Sequence, residues 1–267
     1  TKLATPIEGG GLTFIMPRVL DRRGRIYFPG SMGMGEGPPD STVIARYDRS
    51  TEVVDTVGWV WRPEPRIERS GGNMRVMSPQ MEGRDDWAVG PEGQLAIVRA
   101  AGYAVEWHYP DGRVVTGPPH PVETDRISDA DKYAFLEERS SGGLAVMVSS
   151  SSSGAMDMSM SRGGAGLGDS EPNLLDFEWA EEFAPFRADR ARVSPAGELW
   201  VERWLPTDRT SEMDVFDGEG VRLGFVALPA GRQLIGFGST ADGEPAAYLV
   251  RSDEFDLKWL ERYRVMR

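Results

Sequence analysis

Three methionines at alternate positions, Met156, Met158 and Met160, form the most unusual chemistry-bearing spacing in the chain. Thioethers are soft ligands, and a Met-x-Met-x-Met run on extended chain can hold Cu(I), with Met32 and Met34 as further donors. Methionine is also a flexible, polarisable contact residue. The plainer reading is therefore a partner-contacting loop, with soft-metal binding as the alternative. There is no cysteine, which excludes disulfides, thiolate zinc sites and a cysteine nucleophile.

The remaining candidates are sparse. The two histidines, His108 and His120, exclude chemistry that needs several imidazoles, and neither sits in a nucleophile-elbow context. His108 occupies an alternating strand position in Glu106-Trp-His-Tyr109 and is expected to be packed or at a rim. His120, in Pro118-Pro-His-Pro121, is expected to face solvent. Metal-dependent hydrolysis would need spaced Glu, Asp and Asn oxygens to hold a divalent cation. Here the only asparagines are Asn73 and Asn173, and the acidic pairs Asp85-Asp86 and Glu181-Glu182 lack the required spacing. Gly9-Gly-Gly11 and Gly163-Gly-Ala-Gly166 are not followed by Lys-Ser/Thr, so neither is a phosphate loop. No catalytic residue and no cofactor is assigned.

The elements that would position such residues are strands. Val19-Leu-Asp-Arg-Arg-Gly24-Arg-Ile-Tyr27, Val89-Gly-Pro-Glu-Gly93-Gln-Leu-Ala96 and Val193-Ser-Pro-Ala-Gly197-Glu-Leu-Trp200 each read as strand, tight turn, strand. A weaker fourth copy runs from Ser239 through Gly243 to Tyr248. Asp or Pro pre-sets the turn, and glycine supplies positive φ at its end. Behind the first three copies lies a second hairpin, at Ala45–Val53, Glu106–Val114 and Asp214–Leu223; the last copy ends in the strand-like Trp259–Val265. Four antiparallel strands repeated about every 45 to 50 residues are the pattern of a propeller blade. Gly197 and Gly243, 46 residues apart, enclose one such unit. The competing architecture is a β-sandwich with coincidental hairpins.

Three stretches interrupt the repeat. Pro63–Gly83 reads as a long loop or a poorly patterned strand pair. Ser128–Arg139 reads as a short helix capped by Ser128 with Asp131, sharing Ala130, Tyr133 and Leu136 on one face. Leu144–Val148 is strand-like, and the Ser149–Ser170 tract is expected to be a flexible surface loop because it is too polar to order itself. Seven tryptophans (Trp59, Trp61, Trp87, Trp107, Trp200, Trp204 and Trp259) fall in or beside strands and are expected to fill the wedges between blades, with a sugar-stacking platform as the alternative.

Carried by Pro195-Ala-Gly-Glu-Leu-Trp-Val201, Asp214-Val-Phe-Asp217 and Trp259-Leu-Glu-Arg-Tyr-Arg264, the chain resembles the six-bladed β-propellers of the NHL-like type found in bacterial extracytoplasmic proteins. The likeness is clearest over Asp85–Arg139 and from Asp176 onward; Asn-His-Leu itself does not occur. The resemblance implies an extracytoplasmic location, a signal peptide or lipid anchor, and further blades ahead of those seen. Four blades are legible and six would just fit 267 residues. The opening Thr1-Lys2-Leu3-Ala4-Thr5 is expected of a processed or shortened N-terminus.

Composition narrows the partners. With 30 basic and 42 acidic side chains the net charge is −12, a field that repels a phosphate backbone, so nucleic acid is not expected. No apolar run approaches the roughly 20 residues that span a bilayer. The expectation is a single all-β propeller domain over residues 1–267. It acts as a non-catalytic protein-interaction or scaffold subunit, peripheral to a membrane-bound assembly. A metal-dependent hydrolase or lactonase is the alternative, and a saccharide binder is a third.

Overall fold

The computed structural model describes residues 17–30, 40–63, 66–70, 73–77, 79–141, 144–150, 156–162, 173–240, 242–253, 255 and 257–265. Blade I comprises β1 (Val19–Leu20), β2 (Ile26–Pro29), β3 (Ser41–Asp48) and β4 (Val53–Trp61). A hairpin of β5 (Arg66–Ser70) and β6 (Asn73–Met77) follows, so the Pro63–Gly83 stretch contains a strand pair. Blade II is β7 (Asp86–Val89), β8 (Leu95–Arg99), β9 (Ala104–His108) and β10 (Val114–Thr116). The helix α1 (Asp129–Ser141) and a second hairpin, β11 (Leu144–Ser150) with β12 (Met156–Arg162), precede blade III. Blade III is β13 (Arg192–Val193), β14 (Leu199–Glu202), β15 (Glu212–Phe216) and β16 (Arg222–Ala227). Blade IV is β17 (Arg232–Ser239), β18 (Pro245–Ser252) and β19 (Lys258–Arg264).

Within each blade every strand pairs antiparallel with the next in sequence. Blades I to III have four strands and blade IV has three among the described residues. The first strands face one another across the centre, β1 touching β7, β7 touching β13, and β13 touching β17. This is a β-propeller arrangement, and the sandwich alternative does not apply. The repeated turn glycines behave as their spacing predicts: Gly24, Gly93, Gly197 and Gly243 all take φ between +75° and +88°.

Strand alternation explains the core. In blade II, Trp87, Val89, Leu95 and Ile97 pack toward blade I against Tyr27, Ile44 and Val60. The intervening Ala88, Ala96 and Val98, with Trp107, pack toward blade III against Leu199, Val201 and Phe216. The opposite face of blade III, with Trp200, Met213 and Val215, meets Leu234, Ala247 and Leu249 of blade IV. Each such side chain contributes about 1.5–3 kcal/mol when fully buried, so the apolar filling between blades binds the ring. Among the tryptophans, Trp87, Trp107 and Trp200 are buried as expected, whereas Trp61 and Trp259 are exposed. These two lie at an outer strand and at the three-stranded blade, where no further sheet among the described residues covers them.

The helix begins where expected. Ser128 N–H donates to Asp131 Oδ2 at 2.9 Å and Asp131 N–H to Ser128 Oγ at 3.3 Å, a reciprocal cap. Its inward face differs from expectation: Asp131 and Leu136 are buried, while Ala130 and Tyr133 are exposed. Asp131 turns inward because Oδ1 accepts from Thr207 N–H at 2.8 Å and Thr207 Oγ1 at 3.1 Å, fastening the helix to blade III. Of the 149–170 tract, Ser149 and Ser150 end β11, and Met156–Arg162 pairs with it in the register Leu144 to Arg162 through Ser150 to Met156. Met156, Met158 and Met160 occupy alternate positions of β12; the other residues of the tract lie outside those described, as do Met32 and Met34.

Candidate functional site: the axial cavity and its arginine mouth

The inner strands, with Pro29, Thr42 and Val60 from the outer strands of blade I, line a cavity of about 830 Å³; its inner lining is Arg18–Arg22 of blade I, Asp85 and Trp87–Val89 of blade II, Ala191–Val193 of blade III and Ile235–Phe237 of blade IV. Its two ends differ chemically. Arg18 and Arg84 lie just before the first strands of blades I and II, and Arg192 opens β13. Arg62 follows β4, and a fourth antiparallel strand finishes at the end where the first began. All four arginines therefore lie at one mouth, grouped about Asp189: its side chain binds Arg18 and Arg84, its carbonyl accepts from Arg192, and its charge acts on Arg62. The opposite end carries Arg22, paired with Glu92 at 2.5 Å.

The aspartates at this mouth are fully engaged. Asp86, 1% exposed, accepts from Arg18 Nη2 at 2.6 Å and its neighbour Trp87 N–H at 2.7 Å on Oδ1. On Oδ2 it accepts from Arg190 N–H at 3.0 Å and Ala191 N–H at 2.9 Å. One carboxylate thus ties blade I, blade II and the entry to blade III. Asp85 joins blades I and II, accepting from Trp61 N–H at 3.0 Å, Arg99 Nη1 at 2.9 Å and Ala100 N–H at 2.8 Å. Asp189 bonds Arg84 and receives Arg18 Nη1 at 3.3 Å. The Asp85-Asp86 pair is an inter-blade fastening.

The arginines are less evenly matched. Arg18 is also stacked 4.5 Å from the Trp87 ring. Arg192 donates to three neutral acceptors, Ile235 O at 3.1 Å, Asp189 O at 3.1 Å and Ala191 O at 2.7 Å. Neither Arg192 nor Arg62 forms a salt bridge with a described carboxylate. Burial, and next the Arg18 charge, lower the Arg192 guanidinium from its ordinary value; burial and the Arg84 charge do the same to Arg62. A second cleft of about 1380 Å³ beside α1 shares Arg84 and Asp189 with this mouth. There Glu138 binds Arg187 at 2.6 Å and Arg190 at 2.5 Å. In the same cleft Glu202 Oε2 is buried with no hydrogen-bond partner among the described residues. Burial pushes the Glu202 carboxyl up, against the downward pull of Arg187 and Arg190.

The sequence candidates are not assembled here. His108 is at the rim, its Nε2 against Glu106, which also binds Arg99 at 3.0 Å. His120 does not simply face solvent: its ring lies 5.3 Å from Phe216, edge-on. Asn173 caps the short 3-10 turn Leu174–Asp176 through its side chain, Glu181 and Glu182 are exposed, and the side chain of Asn73 lies outside the described residues. Among the described residues no group of three or more His, Asp or Glu is placed to hold a metal ion. The sequence does not single out the arginine mouth, because its members are scattered along it. The one local signal is that an arginine precedes or opens the first strand of each described blade: Arg18, Arg84, Arg192 and Arg232.

No protein-family model and no curated protein sequence matches the chain. Among solved structures, a streptogramin B lyase is similar at 9% identity and TM-score 0.25, over 93% of this chain and 82% of that one. A virginiamycin B lyase from Staphylococcus aureus is similar at 8% identity and TM-score 0.25, over 93% and 83%. By its own blade topology, the chain is a β-propeller.

Proposed function

We propose that this β-propeller is a non-catalytic protein-interaction or scaffold subunit of the NHL-like type, held outside the cytoplasm at the periphery of a membrane-bound assembly. The observation that supports this most is the distribution of exposed apolar side chains. Leu223 and Phe225 of β16 are 58% and 56% exposed, and Leu260 of β19 is 64% exposed. These are the outermost described strands of neighbouring blades. Large apolar side chains exposed on the outer strands of neighbouring blades are a feature that a protein partner covers. No described helix is long and apolar enough to cross a membrane. The hydrolase reading has no described cation-holding set to rest on.

Lysine placement gives a direct test. The only lysines are Lys2, Lys132 and Lys258; Lys132 is on α1 and Lys258 opens β19. Amine cross-linking in native membranes is expected to join Lys258 to a stoichiometric partner and to leave Lys132 unlinked. The variant Leu260→Ser should abolish that link while changing stability by no more than about 0.5 kcal/mol. Cross-links confined to Lys132, or no stoichiometric partner, would overturn the proposal.

A further inference from the structure

We propose that the arginine mouth of the axial cavity is a binding site for a small oxyanion, a carboxylate or phosphate group, held by Arg62, Arg84 and Arg192. This goes beyond the interaction role and does not depend on it.

The argument is one of charge balance. At this mouth each aspartate is already committed: Asp85 to Arg99 and two backbone N–H groups, Asp86 to Arg18 and three, Asp189 to Arg18 and Arg84. What remains uncompensated is positive. Arg192 spends its described hydrogen bonds on neutral carbonyls, and the Arg62 side chain makes no described hydrogen bond or ion pair, feeling only the Asp189 charge that Arg18 and Arg84 already share. A guanidinium presents a planar fork of donors that matches carboxylate and phosphate oxygens in pairs. Packed sheets on several sides lower the local dielectric, so the attraction is stronger than on an open surface. The concentration of arginine also stands out against a chain of net charge −12. The cavity behind the mouth, about 830 Å³, is large enough for the organic body of a small ligand as well as its anionic group. A cation at the same place would meet repulsion.

The test is calorimetric titration of the whole chain at low ionic strength with inorganic phosphate and, separately, with succinate. Saturable binding of either is expected, weakened by added NaCl; binding of phosphate alone marks a phosphorylated ligand, and of succinate alone a carboxylate. Arg62 makes no described side-chain bond, so Arg62→Gln should fold normally, as its melting temperature would verify. It should weaken binding at least about tenfold, the scale of one charge-assisted hydrogen bond. Arg62→Lys should restore part of it. Arg22→Gln, at the opposite end, should leave affinity unchanged. No saturable binding of either probe at millimolar concentration, or equal weakening by Arg62→Gln and Arg22→Gln, would overturn the proposal.

Discussion

The boundary between blades II and III and the outer layer of blade IV come from the same repeat and are built to opposite ends. At the II–III boundary, Tyr103 lies 5.4 Å from Phe186 and 5.6 Å from Phe216, ring to ring. Its hydroxyl donates to Asp214 Oδ2 at 2.8 Å, and Trp107 Nε1 donates to Asp217 O at 2.9 Å. The chains approach so closely at Gly117 that a Cβ there would sit 2.3 Å from Gly220 O. In blade IV the last strand, β19, leaves Trp259, Leu260 and Tyr263 exposed, and its charges pair on the surface, Arg232 and Arg251 both binding Glu261. The lesson is that the same antiparallel repeat yields core or surface according to whether a second sheet lies against it.

Breaking the tight side should cost most at its hub. Asp86→Ala takes from Arg18 its closer, buried carboxylate and from three backbone N–H groups their side-chain acceptor, so urea denaturation should report a loss of about 3–5 kcal/mol. A loss below about 1 kcal/mol would mean that the carboxylate is not what joins the blades. Tyr103→Phe is gentler, because Asp214 keeps Arg222 at 2.6 Å; the same measurement should show a loss of about 1–3 kcal/mol.

Two glutamates sharpen the comparison with smaller effects. Glu202 is buried and its carboxyl is raised, so its native state favours the proton. That contribution is complete below the unfolded carboxylate pKa near 4.3 and is lost as pH rises through the folded value. Glu202→Gln should therefore be more stable than the parent at neutral pH, with the difference closing on acidification. Glu261 is the reverse: Arg232, then Tyr263 and Arg251, hold its carboxyl down to about 2. Its contribution is present above the ordinary carboxylate range and fades as pH falls toward that value. Glu261→Gln should be slightly less stable at neutral pH and equal at strong acid. Melting curves across pH check both signs, and parallel profiles for the two variants would remove the distinction.

Much of the fold was legible in the chain because its signals are local. A glycine forced to φ +84° at position 197 marks its own turn whatever surrounds it. So do the Ser128–Asp131 cap and the alternation of Trp87, Ala88 and Val89. The burial of individual residues was less legible. Tyr133 and Trp259 are large and aromatic like the buried Trp107, yet they face solvent, because no described sheet or segment is laid over them. The candidate site was the least legible part, since its arginines are separated by long stretches of chain and become neighbours only when first strands gather about an axis.

By itself the amino-acid sequence determined the blade hairpins, their turns, the helix cap and the absence of thiol chemistry, all of which depend on backbone conformation and residue type within a few positions. Tertiary structure alone decided that Asp85 and Asp86 fasten blades while Arg62, Arg84 and Arg192 share one mouth. Electrostatic partnership depends on distance in space and on the exclusion of water, and neither exists until the blades pack.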